Sequence, residues 1–543
     1  MSSARTMLAD TIAWLAANAP GARLCVDSRR VEAGDVFIAL AADSAHGIAL
    51  DGRGFIDDAI ARGARAVIHD AAGFTWDARR TVPHVACKDL RSLAGPLANA
   101  HYGQPDAGMF TVAVTGTNGK TSCSQWLGAA LSREAGVAAV IGTFGVGLYK
   151  NGCSNVFDST GYTTPDAVQL QAALAGARDA GATALAIEAS SIGLQQARMR
   201  GMHVDVALLT NLTRDHLDYH GDMAAYEAAK TILFDWPGLR HAVLNLDDPM
   251  GARIAARLRE RAPAVRITGY TIDAAGVVAA AALAAFGPDD RWLAASSLHA
   301  APAGVQFQWQ CMQPAADAAA GSKLTVRTQL VGDFNVSNVL GVLGVLLAHG
   351  MTQTEAITAI EALQPVAGRM QQIGGTDQPL VVIDYAHTPD ALEKTLVSLR
   401  QVAGDRQGAL WCVFGCGGDR DPGKRPQMGA ISRAADHVVV TSDNPRSEVP
   451  GAIMAEIVAG FDESADASLV HGAGSAAARL QVIEDRASAI LWALRHAGKN
   501  DVVLLAGKGH ENTQEIRGRK LQFLDADHAA LALAARATMK GPA

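Results

Sequence analysis

The stretch FTVAVTGTNGKTS, residues 110–122, has the pattern of a strand, a glycine-containing loop and the start of a helix. Its first five residues form a continuous apolar run, which is typical of a buried parallel strand. The loop that follows contains Gly116 and Gly119, and Lys120 and Thr121 then open a segment with the composition of a helix. The order of strand, glycine-containing loop and helix with Lys-Thr indicates a phosphate-binding loop.

The loop departs from the common pattern G-x-x-x-x-G-K-[ST], because Val114 stands where that pattern has its first glycine. A shorter loop can still turn backbone N–H groups toward an anion at the start of a helix. Lys120 would then contact the outer phosphates of ATP, and Thr121 would hold Mg²⁺. An ordinary strand-to-helix turn is the alternative interpretation. The residues of this loop predicted to bind ATP are Gly116, Thr117, Asn118, Gly119, Lys120, Thr121 and Ser122.

The length and charge of the chain limit the classes of protein to which it can belong. Its 543 residues exceed what one hydrophobic core holds, so about three domains are expected. The net charge of -7 gives no support for nucleic-acid binding. No apolar run reaches the roughly 18 residues that a membrane helix needs, and the N-terminus lacks the pattern of a signal peptide. We therefore expect a cytoplasmic protein without a membrane segment, and we expect its 7 scattered cysteines to be free thiols.

Alternating strand and helix signals occur on both sides of the loop. Apolar strand runs lie at 184–188 and 204–212, and a second series begins near residue 366. Such runs, separated by helices, predict mostly parallel sheets that bind ligands at the carboxyl ends of their strands. The Ala-rich region 271–325 is expected to be rich in β-structure. We predict three α/β domains, at residues 1–106, 107–365 and 366–543.

Five more motifs follow the loop in order along the chain. They are EASSIGLQQAR (188–198), NLTRDHLDYHGDMAAYEAAK (211–230), GDFNVSN (332–338), DYAHTPDAL (384–392) and AGKGHE (506–511). Together with TGTNGKT they resemble the Mur ligase family, whose members are ATP-dependent amide-forming enzymes of peptidoglycan precursor synthesis. The resemblance covers nearly the whole chain. It implies a small UDP-binding domain, a central P-loop-type ATPase domain and a C-terminal Rossmann-like domain, all of them α/β.

Shorter motifs resemble particular members of this family. DSR (27–29) with AGDVFIAL (33–40) resembles the UDP-binding domain of the third and fourth amino-acid-adding ligases, and TTPD (163–166) and DNPR (443–446) point to the third step. The resemblance therefore implies that ATP drives the addition of meso-diaminopimelate to UDP-N-acetylmuramoyl-L-alanyl-D-glutamate. The alternatives are a lysine-adding variant, the D-alanyl-D-alanine-adding ligase, a folylpolyglutamate synthetase, which lacks the first domain, and a non-catalytic nucleotide switch. We expect a monomer.

The implied reaction begins when a substrate carboxylate attacks the γ-phosphate of ATP, and an amine then captures the acyl phosphate. Mg²⁺ and Lys120 would offset the repulsion between the two anions. The resemblance implies a catalytic set of Lys120, Glu188, His216 and Lys230. It implies metal ligation by Thr121, Glu188, His216 and Lys230, the last as a carbamylated lysine formed with CO₂. Since only an unprotonated amine reacts with CO₂, Lys230 requires a lowered pKa. The alternatives are a helix-capping Glu188, a structural imidazole at His216 and a surface lysine.

The same resemblance implies contacts with the two nucleotide substrates. For ATP the further residues are Asn338, Arg369, Asp384 and His387. Hydroxyls, an amide and a guanidinium suit the oxygen-rich, anionic UDP-muramoyl-dipeptide. The residues implied for that substrate are Val26, Ser28, Thr163, Thr164, Ser190, Gln196 and Arg198. Helix capping is the alternative for the segment 163–166.

The DNPR segment carries the argument for diaminopimelate. An arginine presents a planar fork that pairs with a carboxylate. Meso-diaminopimelate has a carboxylate at its far stereocentre and lysine has none, so Arg446 would select diaminopimelate, and Glu511 would receive the distal ammonium. The alternative is a simple Asn-Pro turn. The residues predicted to bind diaminopimelate are Arg420, Asp443, Asn444, Pro445, Arg446, Gly507 and Glu511.

Overall fold

A computed structural model describes the chain over residues 2–43, 48–273, 283, 285–301, 304–313, 323–461, 470–471 and 479–539. These residues form three α/β units, each built around its own sheet, and a two-stranded hairpin. The predicted class, three α/β domains with mostly parallel sheets, is confirmed. The boundaries after residues 106 and 365 stay a prediction.

The first unit has a small parallel sheet between helices. Its elements are α1 Ser2–Asn18, β1 Leu24–Cys25, β2 Val36–Ala39, α2 Ile56–Ala61, β3 Ala66–Asp70, β4 His84–Cys87 and α3 Leu90–His101. The four strands lie in chain order, and all neighbours pair in parallel. Every residue of β2 and β3 is buried, which explains why their sequences are apolar without alternation.

The central unit contains an eleven-stranded sheet. Its strands are β5 Phe110–Thr115, β6 Val137–Gly142, β7 Gly145–Lys150, β8 Cys153–Ser154, β9 Ala184–Glu188, β10 Val206–Leu209, β11 His241–Asn245, β12 Arg266–Thr271, β13 Arg291–Ala301, β14 Gly304–Met312 and β15 Leu324–Thr328. The spatial order is β15-β14-β13-β12-β11-β10-β5-β9-β6-β7-β8. The central part of this sheet is parallel, as predicted: each strand pairs in parallel with the next in the series β13, β12, β11, β10, β5, β9 and β6. The two flanks, β6-β7-β8 and β13-β14-β15, are antiparallel.

Helices cover both faces of this sheet. They are α4 Lys120–Ala135, α5 Ala167–Asp179, α6 Ser191–Gln195, α7 Leu217–His220, α8 Met223–Thr231, α9 Pro249–Arg261, α10 Asp333–His349 and α11 Gln353–Glu361. Helix α10 is apolar nearly all round because it lies between the sheet and α4. Strand β5 lies between β9 and β10, so the loop after β5 leaves the sheet where ligands bind in open α/β folds.

The C-terminal unit is a second doubly wound sheet. Its strands are β16 Gln371–Gly374, β17 Leu380–Asp384, β18 Leu410–Phe414, β19 His437–Val440, β20 Val470–His471, β21 Leu480–Val482 and β22 Val502–Ala506, followed by the hairpin β23 Thr513–Ile516 and β24 Arg519–Gln522. The helices are α12 Pro389–Asp405, α13 Lys424–Ser432, α14 Pro450–Val458, α15 Arg486–His496 and α16 Asp525–Met539. The order is β16-β17-β22-β18-β19-β21-β20, and only the β16–β17 pair of this sheet is antiparallel within the described residues.

Two further expectations concern cysteines and the membrane. All seven cysteines are free; Cys412 is buried within strand β18, and Cys416 is buried just after its carboxyl end. In the part of the chain that the structure describes, no helix is long and apolar enough to cross a membrane.

Candidate active site

The carboxyl ends of β5, β9, β10 and β17 open into one cavity of about 1020 Å³ between the central and C-terminal units. A cavity of this size holds a nucleotide and part of a second substrate. The predicted site residues that line it are Thr117, Asn118, Gly119, Lys120, Thr121, Ser122, Thr163, Glu188, Ser190, Arg198, His216, Lys230, Asn338, Arg369, Asp384, His387 and Arg420. Segments that are far apart in the sequence therefore meet at one site.

The loop between β5 and α4 is curled tightly. Gly116 has a φ of 146°, and a Cβ atom there would lie 1.9 Å from the Thr210 hydroxyl oxygen, so only glycine fits. Lys120 Nζ donates to the carbonyl oxygens of Gly116 and Thr117, both at 2.8 Å. The lysine thus lies over the loop that it would help to bind phosphate.

Asn211, which follows β10, holds this loop and was not singled out from the sequence. Its backbone carbonyl accepts the N–H of Thr117 at 2.8 Å, and its side-chain oxygen accepts the N–H of Asn118 at 3.0 Å. Asn338, in the second turn of α10, packs against the loop, because a Cβ atom at Gly119 would be 2.6 Å from its Oδ1. The loop conformation is therefore imposed by two neighbouring segments as well as by its own glycines.

Glu188 at the end of β9 is buried and held at both carboxylate oxygens. Oε1 accepts the backbone N–H of Thr143 at 2.8 Å, and Oε2 accepts the hydroxyls of Thr143 and Thr121, both at 3.1 Å. The helix-capping alternative for Glu188 is wrong, because Ser190 caps α6 by accepting the N–H of Gly193. Glu188 therefore links the phosphate loop to the turn after β6.

Thr143 is the residue that sequence reasoning missed at this point. It lies in the short turn between β6 and β7, outside every motif that carries the family resemblance. The preceding Gly142 leaves room for Glu188, since a Cβ atom there would be 2.1 Å from Glu188 Oε1. A Gly-Thr pair at the carboxyl end of an apolar strand was the available signal.

Lys230 on α8 is buried, which rules out the surface alternative. Its Nζ donates to the Gly116 carbonyl at 2.7 Å and lies 4.4 Å from the centre of the Tyr226 ring. Among the described residues, no carboxylate lies within 4.0 Å of this amine. Burial, reinforced by the neighbouring Lys120 cation and opposed by Asp215, lowers the pKa of Lys230 well below its usual value. This is the environment that the carbamylation hypothesis requires.

His216 has a left-handed backbone with a φ of 54° and stands directly before α7. Burial lowers its pKa to about 4 despite Asp215, whose Oδ2 lies 3.4 Å from His216 Nε2. The imidazole is therefore neutral near pH 7, which is the form that can ligate a metal. Burial raises the pKa of Asp215, but the interaction with His387 and the charge of Lys424 outweigh burial and hold this pKa well below its usual range.

Arg369 connects the C-terminal unit to the phosphate loop. Its Nη2 donates to the Thr121 hydroxyl at 3.1 Å, and its guanidinium carbon lies 4.2 Å from the centre of the Tyr385 ring. Asp384 at the end of β17 accepts the N–H of Met370 at 2.8 Å, and burial raises the pKa of this carboxyl although Arg369 opposes the rise. Groups from two domains thus surround the position predicted for ATP.

A second hydrogen-bonded network adjoins Glu188 at its backbone carbonyl. The Thr164 hydroxyl donates to the Glu188 carbonyl at 2.6 Å and accepts the N–H of Ser190 at 3.0 Å. Arg198 donates to the Thr164 carbonyl at 2.9 Å and, through Nη2, to Gln196 Oε1 at 2.7 Å. Most residues predicted for the muramoyl-dipeptide therefore form one hydrogen-bonded group.

Two residues predicted to bind the UDP-muramoyl-dipeptide lie outside this network, and a third residue, in the 163–166 segment, caps a helix. Val26 lines a separate cavity of about 470 Å³ between the first unit and α5, and Ser28 is buried beside it. Asp166 caps α5 by accepting the N–H groups of Val168 and Gln169, so the capping alternative for the 163–166 segment is correct for Asp166. Thr163 and Thr164 do not have this role.

The residues predicted for diaminopimelate follow strands β18, β19 and β22 of the C-terminal unit. Arg446 has a φ of 51°, and its Nη1 donates to the Gly418 carbonyl at 2.7 Å. Arg420 lies on the same turn, because a Cβ atom at Gly417 would be 2.9 Å from Arg446 Nη1 and 3.8 Å from Arg420 Cγ. Arg446 also pairs with Ile516 of β23, so the Asn-Pro segment is part of a larger folded site and not a simple turn.

The rest of this group is held by polar contacts. Asn444 Nδ2 donates to Glu511 Oε2 at 2.7 Å, and the Tyr385 hydroxyl donates to Glu511 Oε1 at 3.3 Å. Gly507 has a φ of 109°, and a Cβ atom there would be 2.8 Å from Asp443 Oδ2. Pro445 is buried between Asn444 and Arg446. All seven predicted residues therefore lie at the carboxyl edge of one sheet.

The three α/β units, the shortened phosphate loop and the cavity between the central and C-terminal units are those expected of an ATP-dependent ligase. The chain matches, in order, the Mur ligase family catalytic domain at residues 22–102, the Mur ligase middle domain at 114–346 and the Mur ligase glutamate ligase domain at 368–509. The chain belongs to the Mur ligase family.

Its relatives give a more particular likeness. The chain is 59% identical to the UDP-N-acetylmuramoyl-L-alanyl-D-glutamate--2,6-diaminopimelate ligase of Janthinobacterium sp. (strain Marseille), over 98% of both chains. It is 50% identical to the ligase of the same name from Ralstonia nicotianae, over 97% of this chain and 96% of the relative. A solved structure of a ligase with this name is 34% identical, covers 95% of both chains and has a TM-score of 0.60. The MurF ligase of Thermotoga maritima in complex with ADP, 18% identical over 96% of this chain and 99% of its own, has a TM-score of 0.59 and shares the fold.

Proposed function

We propose that this chain is an ATP-dependent ligase that adds meso-diaminopimelate to UDP-N-acetylmuramoyl-L-alanyl-D-glutamate through an acyl phosphate. The observation that carries the proposal is the position of Glu188. Its side chain accepts a hydrogen bond from the hydroxyl of Thr121, next to the phosphate loop. Its backbone carbonyl accepts one from the hydroxyl of Thr164, a residue predicted to bind the muramoyl-dipeptide. A γ-phosphate and an acceptor carboxylate bound at these two groups would meet beside it.

The residues around the phosphate loop can bring two anions together. Lys120 can leave the Gly116 and Thr117 carbonyls for the outer phosphates of ATP, and Arg369 adds a second cation beside Thr121. The acceptor carboxylate would be held by Arg198 and by the hydroxyls of Thr163 and Ser190. Fixed donors of this kind stabilise the charge that develops during phosphoryl transfer.

The donor set also fits Mg²⁺. No group of three or more His, Cys, Asp or Glu side chains in the described ranges could hold a metal by itself. Magnesium is nevertheless usually held by one or two carboxylates together with substrate phosphates. Thr121, Glu188, His216 and a carbamate on Lys230 would supply the protein ligands. When bound, Mg²⁺ would neutralise phosphate charge during the transfer.

The amine substrate would bind against the C-terminal sheet. Arg446 and Arg420, on the turn at Gly417, can pair with the distal carboxylate of diaminopimelate, and Glu511 can accept its distal ammonium. Lysine has no distal carboxylate and would leave this arginine pair unmatched. A cytoplasmic location and a monomeric state remain our predictions for the enzyme.

The experiment that tests the proposal measures ADP and phosphate release with ATP, Mg²⁺ and UDP-N-acetylmuramoyl-L-alanyl-D-glutamate. Meso-diaminopimelate, lysine, D-alanyl-D-alanine and no amine are compared in parallel, and the peptide product is identified by mass spectrometry. We expect turnover and a lengthened product with meso-diaminopimelate only. Efficient addition of lysine or of D-alanyl-D-alanine would assign a different member of the family, and no turnover in any reaction would reject a ligase.

A further inference from the structure

Lys508 is a fully buried lysine in the C-terminal unit, between the two glycines of the AGKGHE segment after β22. Its Nζ donates to Thr513 O at 2.8 Å, to Glu511 Oε2 at 3.0 Å and to Asn444 Oδ1 at 3.2 Å. An ammonium group has three N–H donors, and all three are used by these contacts. Lys508 therefore has no donor left for a ligand and can act only through the residues that it holds.

Glu511 is the residue on which these contacts converge. Its Oε2 accepts Lys508 and Asn444, and its Oε1 accepts the Tyr385 hydroxyl. A carboxylate offers about four lone-pair sites. Three are therefore used by donors that come from the ends of three different strands, and one on Oε1 remains for an incoming N–H group. The side chain is also partly exposed, at 29%.

The same lysine fixes Asn444 from the other side. Asn444 Oδ1 accepts both Lys508 Nζ and the backbone N–H of Glu515 at 2.9 Å, which leaves the Asn444 amide nitrogen to face Glu511. Asp443, the residue before it, has an oxygen 3.8 Å from Lys508 Nζ. Among the described residues Lys508 is thus the cation within ion-pair distance of both Asp443 and Glu511.

We propose that Lys508 is a positioning residue for the diamino acid, which orients Glu511 and Asn444 so that the free lone pair of Glu511 receives the distal ammonium. This inference rests on the proposed function. The fully buried Arg486 gives a contrast in the same domain. It bonds Asp525 at 2.7 and 2.8 Å and the Ala506 carbonyl at 3.0 Å, and none of these contacts involves Glu511 or Asn444.

The test compares two amine substrates in the parent and in Lys508→Met. Meso-diaminopimelate has the distal amine, and 2-aminopimelate lacks it but keeps both carboxylates. In Lys508→Met we expect the KM for meso-diaminopimelate to rise at least about tenfold, because a charge-assisted hydrogen bond to Glu511 is lost. The KM for 2-aminopimelate should change less than about threefold, and the KM for ATP less than about twofold.

The control is Arg486→Met, which removes another buried cation. It should lower the melting temperature but leave the ratio of the two amine KM values at the parental value. A parental KM ratio in Lys508→Met would overturn the positioning role and leave Lys508 with a structural role only. If Lys508→Met does not fold, Lys508→Gln, which keeps two N–H donors without the charge, is measured by the same ratio. A parent enzyme that does not use meso-diaminopimelate would reject the proposed function instead.

Discussion

The pockets around Lys230 and Lys508 place the same side chain in opposite surroundings. Both lysines are buried, one in the central domain and one in the C-terminal domain. Lys230 meets the Gly116 carbonyl, the face of an aromatic ring and a neighbouring cation. Lys508 meets the carboxylate of Glu511 and lies near that of Asp443. Burial makes a charge costly in both pockets, and the neighbouring groups determine whether the lysine loses its proton or holds a carboxylate in place.

The chemistry that follows is different in the two pockets. An amine without a carboxylate partner gives up its proton more readily and can react with CO₂, which would turn a cation into a metal-binding anion. A lysine paired with a carboxylate instead fixes the geometry of its partners.

The largest effect is expected for Lys230→Ala. Loss of a group that helps to hold Mg²⁺ at the transferring phosphate should lower kcat by about 10²–10³. Short carboxylic acids added to Lys230→Ala should restore part of the activity, because they replace the carboxylate of the carbamate. In the parent, ¹³C-labelled bicarbonate should give a carbamate signal by NMR that the variant lacks.

Lys508→Met serves as the comparison, since it should not respond to added carboxylic acids. Parental activity in Lys230→Ala, or equal rescue of both variants, would remove the contrast between the two pockets.

An intermediate effect is expected for Arg446→Ala, which alters the C-terminal pocket alone. The hydrogen bonds between an arginine and a carboxylate are strong and directional. Their loss should lower kcat/KM for meso-diaminopimelate about 100-fold. The KM for ATP should stay within about twofold, because Arg446 lies at the Gly418 turn and does not line the cavity at the phosphate loop. Steady-state kinetics with each substrate varied in turn measures both values, and an equal rise in the two KM values would contradict the division into two pockets.

The smallest effect concerns His203, a cation that has two carboxylate partners. Its ring nitrogens lie 3.2 Å from Asp106 and 3.3 Å from Asp205, and hydrogen bonds to these two residues raise the pKa of His203 to about 10. Because the folded pKa lies above the unfolded value of about 6.5, the added stability is complete below pH 6.5 and is lost as the pH rises through about 10. The parent should therefore melt a few degrees above His203→Gln at pH 6, and the difference should shrink by pH 10.5.

Thermal melting at constant ionic strength checks this expectation, because salt screens the charge of the partly exposed His203 side chain. A difference between parent and His203→Gln that does not change with pH would show that the two carboxylates do not hold a charged imidazole.

The sequence predicted the strands and the loop well for a physical reason. The apolar run predicted at 184–188 is β9 over the same residues, because a buried parallel strand is apolar at nearly every position. The antiparallel flanks of the central sheet were not predicted. Their pairing depends on the short turns that join neighbouring strands, and the apolar pattern does not report the direction of a partner strand.

The candidate site was predicted in part. Many of the motif residues line the cavity between the central and C-terminal units, but the sequence did not single out Thr143 or Lys508. Thr143 lies 45 residues from Glu188 in the chain, and Lys508 lies 64 residues from Asn444. Contacts over such separations leave no local pattern, and a lysine between two glycines reads as part of a turn.

Local features can be read from the amino-acid sequence: apolar strands, glycines in a tightly curled loop, and a helix that starts at Lys120. The surroundings of each charged side chain depend on the folded chain. Lys230, for example, contacts the carbonyl of Gly116, which lies 114 residues earlier in the sequence. The physical reason is that backbone conformation depends on neighbouring residues, whereas burial and charge partners depend on which distant segments the folded sheets bring together.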